Sequence, residues 1–320
     1  MATANGAIER TDALALLARQ DINEIVKGSA KTSAALSSFR TITMSAGTAR
    51  MPVLAALPTA GWVSESTTDK AGLKPVSEVA WDSKELIAEE LAVIVPVHEN
   101  VLADSAFDIW GEVKPLVVEQ FGAILDAAVL FGTNKPASWV DPALVPGAIA
   151  AGNTFAAGSG TVKDLAEDIN AAMGLVEEDG FDVTAAYSHR GLKARLRGLR
   201  DANGQPIYLH EIRADGVTSS IYGVDMHFVE NGSWNKAAAT ALVGDASKAI
   251  LGIRQDVTVK LLDQATLERA DGTLLHLAQR DMVALRFVFR VGYAVANPIQ
   301  AGNTDIAKQF PFAVVTPAAA

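Results

Sequence analysis

Apolar and polar positions alternate most regularly over residues 89–97. There Leu91, Val93, Val95 and Val97 fall on one side of a strand, with Ala92 and Ile94 on the other. Both sides are largely apolar, which predicts a strand covered on two faces. Beyond it, Trp110, Val113, Val117, Phe121, Ile124, Ala128 and Phe131 recur at steps of three and four, the stripe of a long amphipathic helix. Asp104 or Ser105 can cap a helix start. Pro115 is poorly suited to a helix interior, so the pattern predicts a short helical segment to about 112 and a main helix beginning at Pro115.

Around this pair the pattern changes. Residues 7–20 predict a short helix, and 28–43 are Ser/Thr/Ala-rich and read as irregular chain that drapes over something else. Residues 48–84 form a polar, Pro- and Gly-punctuated extended excursion. Two strands with no core of their own are marginal in water, so this excursion should find its partners on other copies of the chain. Residues 132–160, marked by Pro136, Pro142, Pro146 and Gly158, read as a loop between lobes. Helices and strands then alternate: helix 162–178, strand 183–187, helix 191–200, strands 222–229 and 239–243. Strands follow at 257–262 and 283–293. In the last, Val283, Leu285, Phe287, Phe289 and Val291 face one way and Arg286 and Arg290 the other. The class is α+β, without an internal repeat.

Composition narrows the function. The 320 residues allow one large domain or two interlocked lobes, and 49% are hydrophobic, with a mean hydropathy of +0.20. No apolar run approaches the roughly 18 residues of a membrane span, so the extra apolar surface is expected in subunit contacts. The first thirty residues lack the basic start and apolar core of a signal peptide. With no cysteine, disulfides and thiolate metal sites are excluded. The net charge of −10 argues against a sequence-reading nucleic-acid binder.

Candidate chemistry is sparse. Gly28-Ser29-Ala30-Lys31-Thr32 has no glycine directly before its lysine and no strand ahead of it, unlike a phosphate loop. His98, His189, His210, His227 and His276 show no metal-ligand spacing. No G-x-S-x-G elbow is present. Asn231-Gly232-Ser233 is a formal glycosylation sequon without a secretory context. Glu85, Glu89 and Glu90 lack a pocket-forming context and read as interface charges. Arg190, Lys193, Arg197 and Arg200 form a cationic stripe beside Leu192, Leu196 and Leu199. The stripe fits a solvated amphipathic helix, a contact with acidic residues around a ring axis, or, third, contact with DNA.

The order of these elements resembles the major capsid proteins of tailed double-stranded DNA phages, whose Hong Kong 97-like fold is shared with encapsulins. Ile25-Val26-Lys27-Gly28-Ser29 and Thr48-Ala49-Arg50-Met51-Pro52-Val53 resemble the family's N-terminal arm and the start of its E-loop. Gly61-Trp62-Val63-Ser64-Glu65 resembles a signature on the loop's outgoing strand. Leu91 to Val97 and Leu102-Ala103-Asp104-Ser105 resemble the strand and start of the spine helix. Asp126 with Leu130-Phe131-Gly132-Thr133, Gly244-Asp245, Gly252-Ile253-Arg254, Arg286 to Gly292 and Asn297-Pro298 continue the resemblance almost to the end of the chain.

The resemblance implies an N-terminal arm (1–47), E-loop (48–84), peripheral domain with spine helix (85–140), axial domain (141–256), and a return to the peripheral domain with the C-terminus (257–320). It implies a structural protein, not an enzyme and without cofactor, made in the bacterial host cytoplasm. Hexamers and pentamers would form an icosahedral head around non-specifically contacted DNA. Its partners would be other copies, a separate scaffolding protein, a portal and possible decoration proteins, with no membrane. Subunit contacts are expected at Arg50, Trp62, Glu65, Lys70, Lys74, Trp81, Glu85, Glu89, Arg190, Lys193, Arg197, Arg200, Arg286 and Arg290. Lys70 and Lys74 lie where some members form isopeptide cross-links, but no asparagine or glutamate partner can be matched to them. An encapsulin-like compartment and a soluble α+β enzyme are the rival readings.

Overall fold

The computed structural model describes residues 33–58, 60, 62, 76–104, 108–160, 164–200, 203–205, 208–213, 216–269, 271–300 and 306–318. The expected helix at 7–20 lies outside them. Residues 33–43, expected to be irregular, instead form α1 (Ala34–Ser38) and strand β1 (Arg40–Thr43). Small side chains make this possible: Ala34 and Ala35 are buried, and Ser33 caps the helix by accepting from the Leu36 N–H.

An antiparallel hairpin, β2 (Thr48–Ala56) and β3 (Ala80–Ile87), projects from the body, followed by β4 (Glu89–His98) and α2 (Glu99–Asp104). The helix α3 (Ile109–Asp126) runs through Pro115, and a π-helical turn (Ala127–Phe131) follows directly. Pro115 is therefore interior to one helix rather than its first residue. The start is set by Asp108, whose carboxylate accepts from the Gly111 N–H. The carbonyl that the proline ring crowds, four residues back, belongs to Gly111, where the backbone adapts most easily.

The expected stripe is partly shifted. Val117, Phe121, Leu125 and Ala128 are buried, while Ile124 is 45% exposed. The face steps from Phe121 by four to Leu125, and the wider π turn brings Ala128, Val129 and Leu130 inside together. Residues 132–160 are also more ordered than expected. They contain α4 (Leu144–Ala151), with Leu144, Val145 and Ala148 buried, and β5 (Thr154–Ala156).

After α5 (Leu165–Glu178) come β6 (Ala185–His189), α6 (Leu192–Arg197), β7 (Tyr208–Arg213), β8 (Gly216–Ile221), β9 (Val224–Val229), β10 (Ala241–Gly244) and β11 (Ala249–Leu262). The small hairpin β12 (Thr266–Glu268) and β13 (Leu274–His276) precedes β14 (Met282–Val295) and β15 (Phe312–Thr316). Tyr222, expected at the head of a strand, is a turn residue. With φ of 50° beside Gly223 at 82°, it closes the two-residue link between β8 and β9.

Two larger sheets result. The four-stranded sheet runs β1-β11-β14-β4 and the seven-stranded sheet β5-β15-β10-β6-β9-β8-β7. The long strand β14 keeps its alternation: Leu285, Phe287, Phe289 and Val291 are buried, and Arg286 is exposed on the opposite side. Its neighbour β4 is an edge strand among the described residues, which do not supply the expected double cover. Leu91 and Val95 pack on the core while Ile94 is 38% exposed. Sheet membership also departs from the division at 256/257. Strand β11 already joins the four-stranded sheet at Ala249, and β15 instead enters the seven-stranded one between β5 and β10. Its run Phe312, Ala313, Val314 and Val315 is wholly buried, which suits a strand covered on both faces. One continuous core joins the sheets, with Phe287 and Tyr293 contributed by one and Tyr187, Leu242 and Phe312 by the other.

Close packing around β15 is testable. A Cβ added at Gly244 would stand 2.3 Å from the Pro311 carbonyl oxygen and 2.4 Å from the Phe312 ring, whereas one at Gly174 in α5 meets nothing within 4 Å. Gly244→Ala is expected to lower unfolding free energy by about 1–3 kcal/mol, and Gly174→Ala to raise it by about 0.5–1 kcal/mol. Denaturant midpoints would read both; equal effects would contradict this packing.

Candidate assembly surfaces

The hairpin β2–β3 has almost no core. Val53 and Leu86 are buried, and the remaining residues of both strands are partly or fully exposed. One face carries the cross-strand pairs Arg50 with Glu85, Pro52 with Ser83 and Leu54 with Trp81; the opposite face turns Val53 and Leu86 inward. Trp81 is 68% exposed and Val76, just ahead of β3, 95%. Exposed aromatic and branched side chains on an unsupported hairpin are costly in water unless something covers them.

Its base, by contrast, is fixed at several points. Lys84 Nζ donates to Asp141 Oδ1 at 2.6 Å, and the other oxygen of Asp141 accepts from the Val295 N–H at 2.9 Å. Asp141 is buried, so its charge needs both partners. Trp139 Nε1 donates to the Ile87 carbonyl at 3.0 Å, and farther out, opposite Trp81, the Ile299 N–H donates to the Leu54 carbonyl at 3.0 Å. The hairpin thus leaves the body in a defined direction.

A second buried carboxylate ties α1 to the helix. Asp126 accepts from Ser33 Oγ at 2.5 Å, from the Ala34 and Ala35 N–H groups at 3.0 Å each, and from Asn231 Nδ2 at 2.6 Å. Burial raises its carboxyl above the ordinary value of 3.8, although all four donors pull the other way. Burial likewise raises the phenol of Tyr187, which donates to Ser38 Oγ at 2.8 Å, so α1 is held from two sides.

The expected contact residues fall into groups. Arg50 Nε and Glu85 Oε1 meet at 3.0 Å within the hairpin, an exposed pair of little energetic weight. Trp62 is fully exposed. Glu65, Lys70, Lys74 and the phosphate-loop-like segment lie outside the described residues. Glu89, at the start of β4, borders a shallow apolar hollow with Leu91, Ala128 and Trp139. Arg190 and Lys193 converge on Glu230 at 3.7 and 3.1 Å, and Lys193 also lies 4.5 Å from the Phe228 ring centre. Arg197 and Arg200 are exposed and bond to backbone carbonyls of their own helix region. Leu192, Leu196 and Leu199 are buried as expected. Arg286 is exposed, and Arg290 is partly buried with no partner for its Nε among the described residues.

Sequence reasoning missed Asp126 and Asp141 as anchors. For Asp126 a signal was present, a carboxylate on the apolar side of a helix. Asp141 carried none, because its partners lie 57 and 154 residues away. Among the described residues no group of three or more His, Asp or Glu can hold a metal.

The raised Asp126 carboxyl has a pH consequence. Above 3.8 the unfolded chain gives up this proton before the native one does, so the group's contribution to stability falls as pH rises through the window above 3.8. Asp126→Asn does not titrate. The unfolding free energy of the unsubstituted protein relative to this variant should therefore be largest near about pH 4 and decline toward about pH 7. Denaturant titrations at a series of pH values check this; a difference that grows with pH would contradict it.

The chain is similar to known phage proteins over nearly its full length. The model of the phage capsid family matches residues 15–301. The major capsid protein of Staphylococcus phage 80alpha is 28% identical over 245 residues, covering 75% of this chain and 69% of that protein. A solved structure from Microbacterium phage Oxtober96 superposes with a TM-score of 0.84 at 58% identity, over 98% of this chain and 100% of that one. One from Mycobacterium phage Adephagia gives 0.84 at 37%, over 98% and 99%. A mixed helix and strand body with a projecting hairpin, matched from end to end by such structures, has the Hong Kong 97-like fold. The chain belongs to the phage capsid family, as a major capsid protein and structural building block of a tailed-phage capsid.

Proposed function

We propose that copies of this chain assemble as hexamers and pentamers into an icosahedral head, with the hairpin as the E-loop that lies over a neighbouring subunit. The observation that carries this reading is the hairpin itself: a base tied to the body through Lys84 and Asp141, and an outer part that exposes Trp81 and Val76. Residues 1–47 act as the arm, whose last part docks on the body through α1 and, as β1, at the edge of the four-stranded sheet. The helix α3 and the four-stranded sheet act as the peripheral domain, and the seven-stranded sheet, with β15 added to it, as the axial domain around the capsomer axis. Exposed residues on β4, including Ile94, suit contacts between peripheral domains.

Many modest contacts multiplied by symmetry give a stable shell without one dominant interface. The net charge of −10 suits a container whose lining repels DNA instead of binding it. The wider partners are a separate scaffolding protein, a portal, possible decoration proteins and non-specifically contacted double-stranded DNA. Synthesis and assembly take place in the bacterial host cytoplasm.

Electron microscopy of the purified protein, with sedimentation, tests the reading. Closed shells, or rings of five and six, are expected. A homogeneous monomer or dimer that persists with scaffold and crowding agent would overturn it, and a small particle enclosing a cargo protein would point to a compartment in place of a phage head.

A further inference from the structure

The seven-stranded sheet carries an excess of exposed basic residues beyond one end and of exposed acidic residues beyond the other, with the acidic first turn of α5 at the basic end and Lys248 at the acidic end as exceptions. Strand β6 ends at His189, and directly beyond it come Arg190, Lys193, Arg195, Arg197 and Arg200. Lys236, on the loop after β9, joins this group. Burial chiefly lowers the His189 imidazole below its usual value, and the charges of Lys236 and Arg195 add to that. Glu230 engages Arg190 and Lys193. Arg195, Arg197 and Arg200 are exposed and form no ion pair with a described residue.

At the other end, strands β5, β6 and β15 begin. β5 and β15 are parallel, and β15 and β6 each run antiparallel to β10, so all three start on the same side. Asp179 accepts from Asn153 Nδ2 and the Phe310 N–H, which places the C-terminal end of α5 there. Glu177, Glu178 and Asp182 are exposed at this end and likewise have no ion-pair partner among the described residues. The two ends of β6, beyond which the two groups begin, are about 17 Å apart. That exceeds the screening length of roughly 8–10 Å at moderate salt, so the charges of one chain do not neutralise each other.

We propose that the two ends meet head to tail between neighbouring copies, with Arg195, Arg197 and Arg200 of one facing Glu177, Glu178 and Asp182 of the next. The inference rests on the reading of the chain as a capsid subunit and adds a polarity to its contacts. A heterologous contact of this kind closes into a ring when its rotation does. Contacts between two basic ends or two acidic ends are opposed by like charge, which disfavours a symmetric pair. Copies that each carry −10 repel at long range, so local complementarity has to orient them.

The chain has no cysteine, so introduced thiols report on this contact alone. Shells of the double variant Glu178→Cys with Arg197→Cys, mildly oxidised, should give a reductant-sensitive ladder reaching five and six subunits on a denaturing gel. Arg197→Cys alone should give none. In parallel, Arg195→Glu with Arg197→Glu should lower the yield of rings and shells at least tenfold, and adding Glu177→Lys and Glu178→Lys in the same chain should restore it. Intact shells without a ladder, cross-linking by Arg197→Cys alone, or an unchanged yield after charge reversal would overturn the proposal. So would charge-reversed shells that form normally but retain less DNA, which would assign the arginines to nucleic acid. If the unsubstituted chain forms neither rings nor shells, the capsid-subunit reading itself falls.

Discussion

The contact on which the proposed assembly geometry depends is the one between Lys84, Asp141 and the Val295 N–H. It joins three separated parts of the chain: the second strand of the hairpin, the segment before α4, and the end of β14. A buried carboxylate is tolerated only with its partners in place, so Asp141 makes the base of the hairpin a fixed point. Without that point, two strands burying only Val53 and Leu86 would be directed only by the hydrogen bonds from Trp139 and Ile299 and by packing against Met44 and Ile250. With it, an element too exposed to be stable alone leaves the body in a set direction, as the proposed contact with a second copy requires. The coupling is between a local electrostatic requirement and a property of the whole assembly.

Behind the hairpin, the body behaves as one packed unit. Residues of both sheets, of α3 and of α4 share a continuous core, and the last strand of the chain is threaded between β5 and β10 of the seven-stranded sheet. Asp126 adds a polar clasp to that apolar core, holding α1 against the helix and the loop at Asn231. The π turn that follows Asp126 turns three successive residues, Ala128, Val129 and Leu130, into the core, which a regular helix would not do. Rigid parts of this kind suit a subunit repeated many times, because any looseness would be repeated in every contact.

Elements with a strong period were legible in the sequence. β14 alternates as its residues require, α5 and the leucine face of α6 are where the spacing puts them, and the excursion at 48–84 is the projecting hairpin over its described residues. What was not legible depended on distance. Ser33 to Ala35 read as loop because their helix is stabilised by Asp126, more than ninety residues away. β15 is short and followed by a Pro/Ala tail, and only its place between β5 and β10 explains its burial. Pro115 misled because local rules expect a helix start at a proline, whereas the capping Asp108 and the adaptable Gly111 move the start six residues earlier. The cationic stripe was seen, but Glu230, which engages two of its members, comes from the loop just after β9.

Amide hydrogen exchange, compared between isolated subunits and assembled particles, bears most directly on the claim that the hairpin finds its cover on another copy. Amides in Thr48–Ala56 and Ala80–Ile87 should exchange quickly in the free subunit, except near the anchored base, and become protected in the shell. Equal protection in both states would mean that the hairpin is complete within one chain, and would contradict the account.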